Sequence, residues 1–209
     1  MILWTLGLLF YFGATGSEFI YEWKGPAAST VKTWYLLGAA FVPAYLGMGT
    51  VYLLAPRRWA HSVMALLAAA SVYLLVRMIT ASVDLAPLQG GVPLRSEDVL
   101  PASVRLSFAF TIPGSVALLG GALYSAWNFW RRKAPSHMVI SNSLVALGAF
   151  FPLFGGSRAR LASPDMLYLT EFIGVVVIYV GFLWSRESFA LLVRRLFQRQ
   201  PLSDRPHQP

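Results

Sequence analysis

The chain has 209 residues, 56% of them hydrophobic and only 12% charged, with a mean hydropathy of +0.58 and a formal net charge of +8. A soluble domain spends about 25% of its residues on charge, so this composition excludes an ordinary water-soluble fold. Basic residues sit at the ends of apolar segments, which argues against a nucleic-acid partner, and the absence of cysteine excludes disulfides and thiolate metal ligation.

An α-helix needs about 20 mostly apolar residues to cross about 30 Å of hydrocarbon. In chain order, residues 2–21, 33–54, 60–80, 105–130, 138–155 and 166–184 meet or approach that length. The pattern predicts an all-α polytopic membrane bundle of six transmembrane helices within residues 1–184. The first segment carries Glu18, and its Ile2 to Phe12 core followed by Ala14-Thr15-Gly16 resembles a secretory signal. No basic residue precedes that core, so a retained first helix is expected. Its loss would leave five spans and move the N-terminus outside.

Tight, punctuated turns join most spans. In Ala55-Pro56-Arg57-Arg58-Trp59, proline stops the helix, arginines hold the boundary and tryptophan occupies the headgroup zone. Trp130-Arg131-Arg132-Lys133 repeats the device. The connection from Ala81 to Val104 is long and contains Pro87, Gly90, Gly91, Pro93 and Pro101 among apolar residues such as Leu85, Leu88, Val99 and Leu100. It is expected to fold against the outer surface, with a short turn begun at Ser96 and closed by Glu97 and Asp98.

Beyond the last span, Phe189, Leu192, Val193, Leu196 and Phe197 recur at helical spacing, with Arg194 and Arg195 off the edge of the stripe. Residues 185–200 therefore predict an amphipathic cytoplasmic helix, lying in the membrane interface or serving as a solubilising end. Residues 201–209 read as a flexible tail. The first and last three spans share no aligned charges, prolines or glycines, which weakens any case for an inverted repeat.

Charge sets the orientation. Arg57, Arg58, Arg131, Arg132, Lys133, Arg186, Arg194, Arg195, Arg199 and Arg205 fall on one side, while the other receives only Lys24, Lys32, Arg95, Arg105, Arg158 and Arg160, along with most of the acids, which count for little. Retention of positive charge in the cytoplasm places both termini there.

Ionisable side chains within hydrocarbon are costly and are functional candidates for that reason. Glu18, Arg77 and Glu171 all lie at similar depth in the outer leaflet. They form either a polar site for a proton, ion or small anion, or an ion-paired staple between helices, and the staple is the favoured reading. Arg158 and Arg160 are further candidates for phosphate or anionic-lipid contacts, as are Arg194 and Arg195. His61 and His137 begin the third and fifth spans, where axial ligation of haem or chlorophyll competes with an ordinary interfacial role. The sequence names no cofactor and no metal site.

Signatures of zinc peptidases, P-loop nucleotide sites, hydrolase elbows and dinucleotide folds are missing. Gly47, Gly49, Gly120 and Gly121, together with the pairs Ala40/Ala44, Ala65/Ala69 and Gly121/Ser125, mark close-packing helix faces. Pro43, Pro113 and Pro152 interrupt the second, fourth and fifth spans, freeing backbone carbonyls for neighbouring donors.

Gly16-Ser17-Glu18-Phe19, followed by Leu46-Gly47-Met48-Gly49-Thr50-Val51-Tyr52-Leu53-Leu54-Ala55-Pro56-Arg57-Arg58, resembles a segment of uncharacterised multi-spanning bacterial inner-membrane proteins. The resemblance covers mainly the first sixty residues. It implies a bacterial inner-membrane bundle and transfers no functional residue. Three functions remain in view. The first is a non-catalytic accessory or scaffold subunit of a larger membrane complex, bound to lipid and to other membrane subunits. The second is a small transporter or channel using Glu18, Arg77 and Glu171, and the third is a haem, pigment or quinone subunit of an electron-transfer complex.

Overall fold

The computed structural model describes residues 2–88, 96–133, 135–159 and 165–184. Every regular element among them is helical. The long helices are α1 (Ile2–Lys24), α2 (Ala28–Leu54), α3 (Arg57–Thr80), α5 (Ser107–Arg131), α6 (Ser136–Ala159) and α7 (Asp165–Trp184), with a single-turn α4 (Ser96–Val99) between α3 and α5. Among the described residues, three segments are long and apolar enough to cross a membrane: Ala28–Leu54, Arg57–Thr80 and Ala102–Arg131. Shorter apolar helical segments cover Ser136–Phe151 and Phe172–Trp184 within the described residues. The expected C-terminal amphipathic helix and tail lie outside the described residues.

Most helices begin or end at backbone punctuation rather than at the limits of apolar sequence. α1 continues past its apolar residues to Lys24 and stops where Gly25 takes a φ of +85°, a left-handed conformation that glycine adopts without a Cβ clash. Pro26 follows, and α2 restarts at Ala28, ahead of the apolar run. Between α2 and α3, Ala55 is extended and Pro56 immediately precedes the first turn of α3. α5 ends at Arg131 with Lys133 at a φ of 51°.

α2 is not uniformly α-helical. Residues Tyr35–Phe41 form a π-helical segment, and Pro43 lies at the start of the α-helical stretch that follows. Proline has no amide hydrogen, so the Ala39 carbonyl loses its usual partner four residues on. The Thr111 hydroxyl of α5 donates to that carbonyl, supplying from a neighbouring helix what Pro43 cannot. Nearby, the Ser107 amide in the first turn of α5 donates to the Tyr35 hydroxyl at 3.0 Å. Both bonds satisfy backbone groups for which hydrocarbon offers no substitute.

The same region brings two backbones together. A Cβ on Gly47 would overlap the backbone of Gly114 in α5, and a Cβ on Gly114 would overlap the Pro43 carbonyl. α2 also receives α1, with Gly7 against Leu46 and the Trp4 indole against Gly49. Around these contacts the buried core is aromatic. Phe10, Phe41, Tyr45 and Phe110 meet at ring separations from 5.2 to 6.1 Å, and Leu36, Ala40, Ala44 and Leu74 complete the cluster. The Tyr45 hydroxyl donates to Ser71 Oγ at 3.2 Å, which ties α2 to α3.

A second cluster closes the opposite end from the α2–α3 turn. Leu88, Val99, Leu100 and Val104 of the long connection pack on Tyr21, Val31, Tyr35 and Met78. The connection is therefore a lid over α1, α2 and α3. Asp84 N–H donates to the Val99 carbonyl at 3.0 Å, joining the lid's two limbs.

α5 leads to α6, and α6 packs on α7 as a hairpin. There Gly148 approaches the Gly174 carbonyl so closely that an added Cβ would lie 2.7 Å from it. The outer faces of the helices are apolar, as at Leu66 (71% exposed) and Ile79 (67%) on α3.

Gly114→Leu should therefore wedge α2 from α5 and lower the thermal midpoint in detergent by an amount equivalent to about 1–3 kcal/mol or more. Gly120→Ala faces nothing within 4 Å and should leave the midpoint unchanged or raised. Equal losses in the two variants would refute the close crossing.

Candidate functional site

The polar groups at the lid end converge on α1, α2 and α3. The Gly25-Pro26-Ala27 turn folds α1 back against α2, which sets Glu18 level with Trp34. The indole Nε1 donates to Glu18 Oε1 at 2.6 Å. Ser17 beside it is buried and donates to the Ala14 carbonyl, also at 2.6 Å. An indole N–H only donates, so the Glu18–Trp34 pair fastens two helices but offers no onward path for a proton through the tryptophan.

Lys32, seven residues after Gly25, reaches α3. Its ammonium donates to the Ile79 carbonyl at 3.0 Å. That carbonyl belongs to the last turn of α3, where helical geometry leaves acceptors without intrahelical partners and a cation is favoured by the helix dipole. Thr80 adds a local tie, its hydroxyl donating to the carbonyls of Val76 and Arg77.

Arg77 lies in this same last turn, and its Nε is buried with no hydrogen-bond partner among the described residues. Arg105, just before α5, has a buried Nε in the same condition. Glu171 is placed on α7, but its side chain is outside the described set. Of the expected trio, the described side chains thus join Glu18 to Trp34 rather than to Arg77.

A recess of about 240 Å³ opens on the lid between Ser82, Asp84, Asp98 and Pro101. The Asp84 carboxylate accepts from the Ala86 amide at 3.0 Å and so shapes the turn beneath it.

Of the other candidates, His61 and His137 have described side chains. Arg158 lies near the end of α6 with its side chain outside the described set, and Arg160, Arg194 and Arg195 lie outside the described residues. His61 is exposed, and its Nδ1 is within 2.9 Å of the Tyr52 hydroxyl, with the two rings edge-on at 5.4 Å. His137 has a buried Nε2 without a partner among the described residues. No group of three or more His, Asp or Glu side chains among the described residues is arranged to hold a metal.

Lys32 and Trp34 were not singled out as site residues in the sequence. The available signal was spacing about the Gly25-Pro26 turn, which pairs residues roughly equidistant from it.

Trp34→Phe should leave Glu18 without its donor and reduce stability by about 1 kcal/mol, read as a lower thermal midpoint in detergent. Glu18→Gln keeps an acceptor oxygen and should lose less. The reverse order would show that the carboxylate's charge matters more than its bond to Trp34.

No family model, curated protein or solved structure matches this chain.

Proposed function

We propose that this chain is a six-span protein of a bacterial cytoplasmic membrane, with both termini in the cytoplasm, and that it serves as a non-catalytic accessory or scaffold subunit of a larger membrane complex. The observation that carries the reading is the one-sided packing of the outlying helices. α7 packs on α6, and α3 packs on α2 and the lid, while their remaining faces present large apolar side chains. Among the described residues, Phe172 and Tyr179 are exposed on α7, as are Leu66, Val72 and Val76 on α3. Lipid satisfies such faces, and so do the helices of a neighbouring subunit, which gain close packing and hydrogen bonds.

Hydrogen bonds between helices support the same reading. Glu18–Trp34, Lys32–Ile79 and Tyr45–Ser71 each join one helix to another. Such bonds fix helix positions, as a scaffold requires. The excess of basic residues on the side of Arg57, Arg58, Arg131, Arg132 and Lys133 over that of Lys24, Lys32, Arg95, Arg105, Arg158 and Arg160 supports the orientation, once Arg186, Arg194, Arg195, Arg199 and Arg205 are counted with the first side.

Solubilisation in mild detergent should bring other membrane subunits down with the tagged chain in fixed ratio. A lone, monodisperse monomer under every gentle condition would contradict the scaffold role. Because the chain lacks cysteine, single cysteines report sidedness directly. Asp98→Cys should react with an impermeant maleimide in intact cells, and Lys133→Cys only after permeabilisation. The opposite pattern would invert the topology.

A further inference from the structure

Toward the end of the bundle away from the lid, an open, mostly apolar groove of about 300 Å³ runs along the seam where α2 and α5 lie side by side. Its walls include Thr50, Val51 and Leu54 from α2 and Val116, Gly120 and Tyr124 from α5. Gly120 leaves one wall bare, for nothing stands within 4 Å of where its Cβ would be.

The groove leads to positive charge. On α5, Val116, Gly120, Tyr124, Trp127 and Arg131 are spaced by four, four, three and four residues, which puts them on one stripe of the helix. All five are exposed. The Arg131 guanidinium lies over the Trp127 ring at 5.4 Å from its centroid, so the cation is held about one turn back toward the groove. On the other wall, Leu54 is followed within four residues by exposed Arg57 and Arg58. Arg132 and Lys133 are exposed beyond Arg131. The sequence holds no acidic residue from 23 to 83 or from 99 to 164, so no carboxylate from those segments neutralises these cations.

We infer that the α2–α5 groove is a binding site for an anionic phospholipid, one acyl chain lying along Gly120 and the phosphate meeting Arg57, Arg58 and Arg131. Charge complementarity selects this occupant. Basic side chains at a membrane boundary attract anionic headgroups, guanidinium groups match phosphate oxygens in bidentate geometry, and the apolar walls receive hydrocarbon. A partner helix would fill the groove but would leave the cations without a counter-charge. The inference rests on α2, α3 and α5 spanning the membrane and does not depend on a scaffold role.

The test uses the full chain. Flotation of wild-type protein with membrane vesicles comes first; failure to float would overturn both the membrane reading and the site. Delipidated protein in detergent is then titrated with phosphatidylglycerol or phosphatidylcholine, with bound lipid read by native mass spectrometry. Wild type should retain about tenfold more phosphatidylglycerol at equal concentration. The triple variant Arg57→Gln, Arg58→Gln, Arg131→Gln should lose that preference, and Gly120→Leu should reduce the occupancy of both lipids. Should Gly120→Leu fail to fold, the charge variant, altered only at exposed side chains, decides alone. Equal retention of the two lipids by wild type would overturn the site, as would an unchanged preference in the charge variant. So would a wild-type dimer that Gly120→Leu dissociates without any lipid preference, since it would assign the groove to a second copy of the chain.

Discussion

Hydrocarbon gives helices no hydrophobic reason to associate, because a lipid tail is as apolar as leucine. What remains is close packing and the need to satisfy every backbone group within the protein. Both demands meet where α2 crosses α5. Pro43 removes a donor and frees the Ala39 carbonyl, Thr111 answers it, and the Gly47 and Gly114 backbones touch because neither carries a Cβ. The π-helical segment just before Pro43 belongs to the same adjustment. α1 and α3 then pack on α2, and α5 carries the α6–α7 hairpin.

The two ends of the bundle follow different rules. At the lid end, Glu18 meets Trp34, Lys32 meets the terminus of α3, and apolar lid residues bury Tyr35 and Met78, while the Nε atoms of Arg77 and Arg105 are buried without a partner among the described residues. At the other end, Arg57, Arg58, Arg131, Arg132 and Lys133 are exposed beside an open apolar groove. The first end is closed by the chain itself. The second is open, and the described charged side chains around its groove are all positive.

Much of the architecture was legible because apolar length is a direct requirement of the solvent. The long helices fall at the expected segments, although three of them are long and apolar enough within the described residues to cross a membrane. Their limits differ because Gly25, Pro26 and Pro56 end or start helices by backbone conformation, whatever the polarity of Lys24 or Arg57. Pro43 signalled a freed carbonyl, but naming Thr111 as its donor requires knowing how α5 crosses α2. Glu18 and Arg77 stood out by depth, which sequence gives. Their partners depend on rotation about each helix axis, which it does not. Ala65 and Ala69 have the spacing of a packing pair yet lie exposed on α3, since that spacing recurs on any apolar helix.

The most direct measurement is spin-label accessibility along α3 in reconstituted membranes, with labels at Leu66, Val72 and Ile79 and at buried Leu74. The exposed positions should collide freely with oxygen, which partitions into lipid, and poorly with a water-soluble nickel chelate, while Leu74 is shielded from both. Strong nickel collisions at Leu66 and Val72 would mean that water, not hydrocarbon, surrounds these helices, and the account would fail.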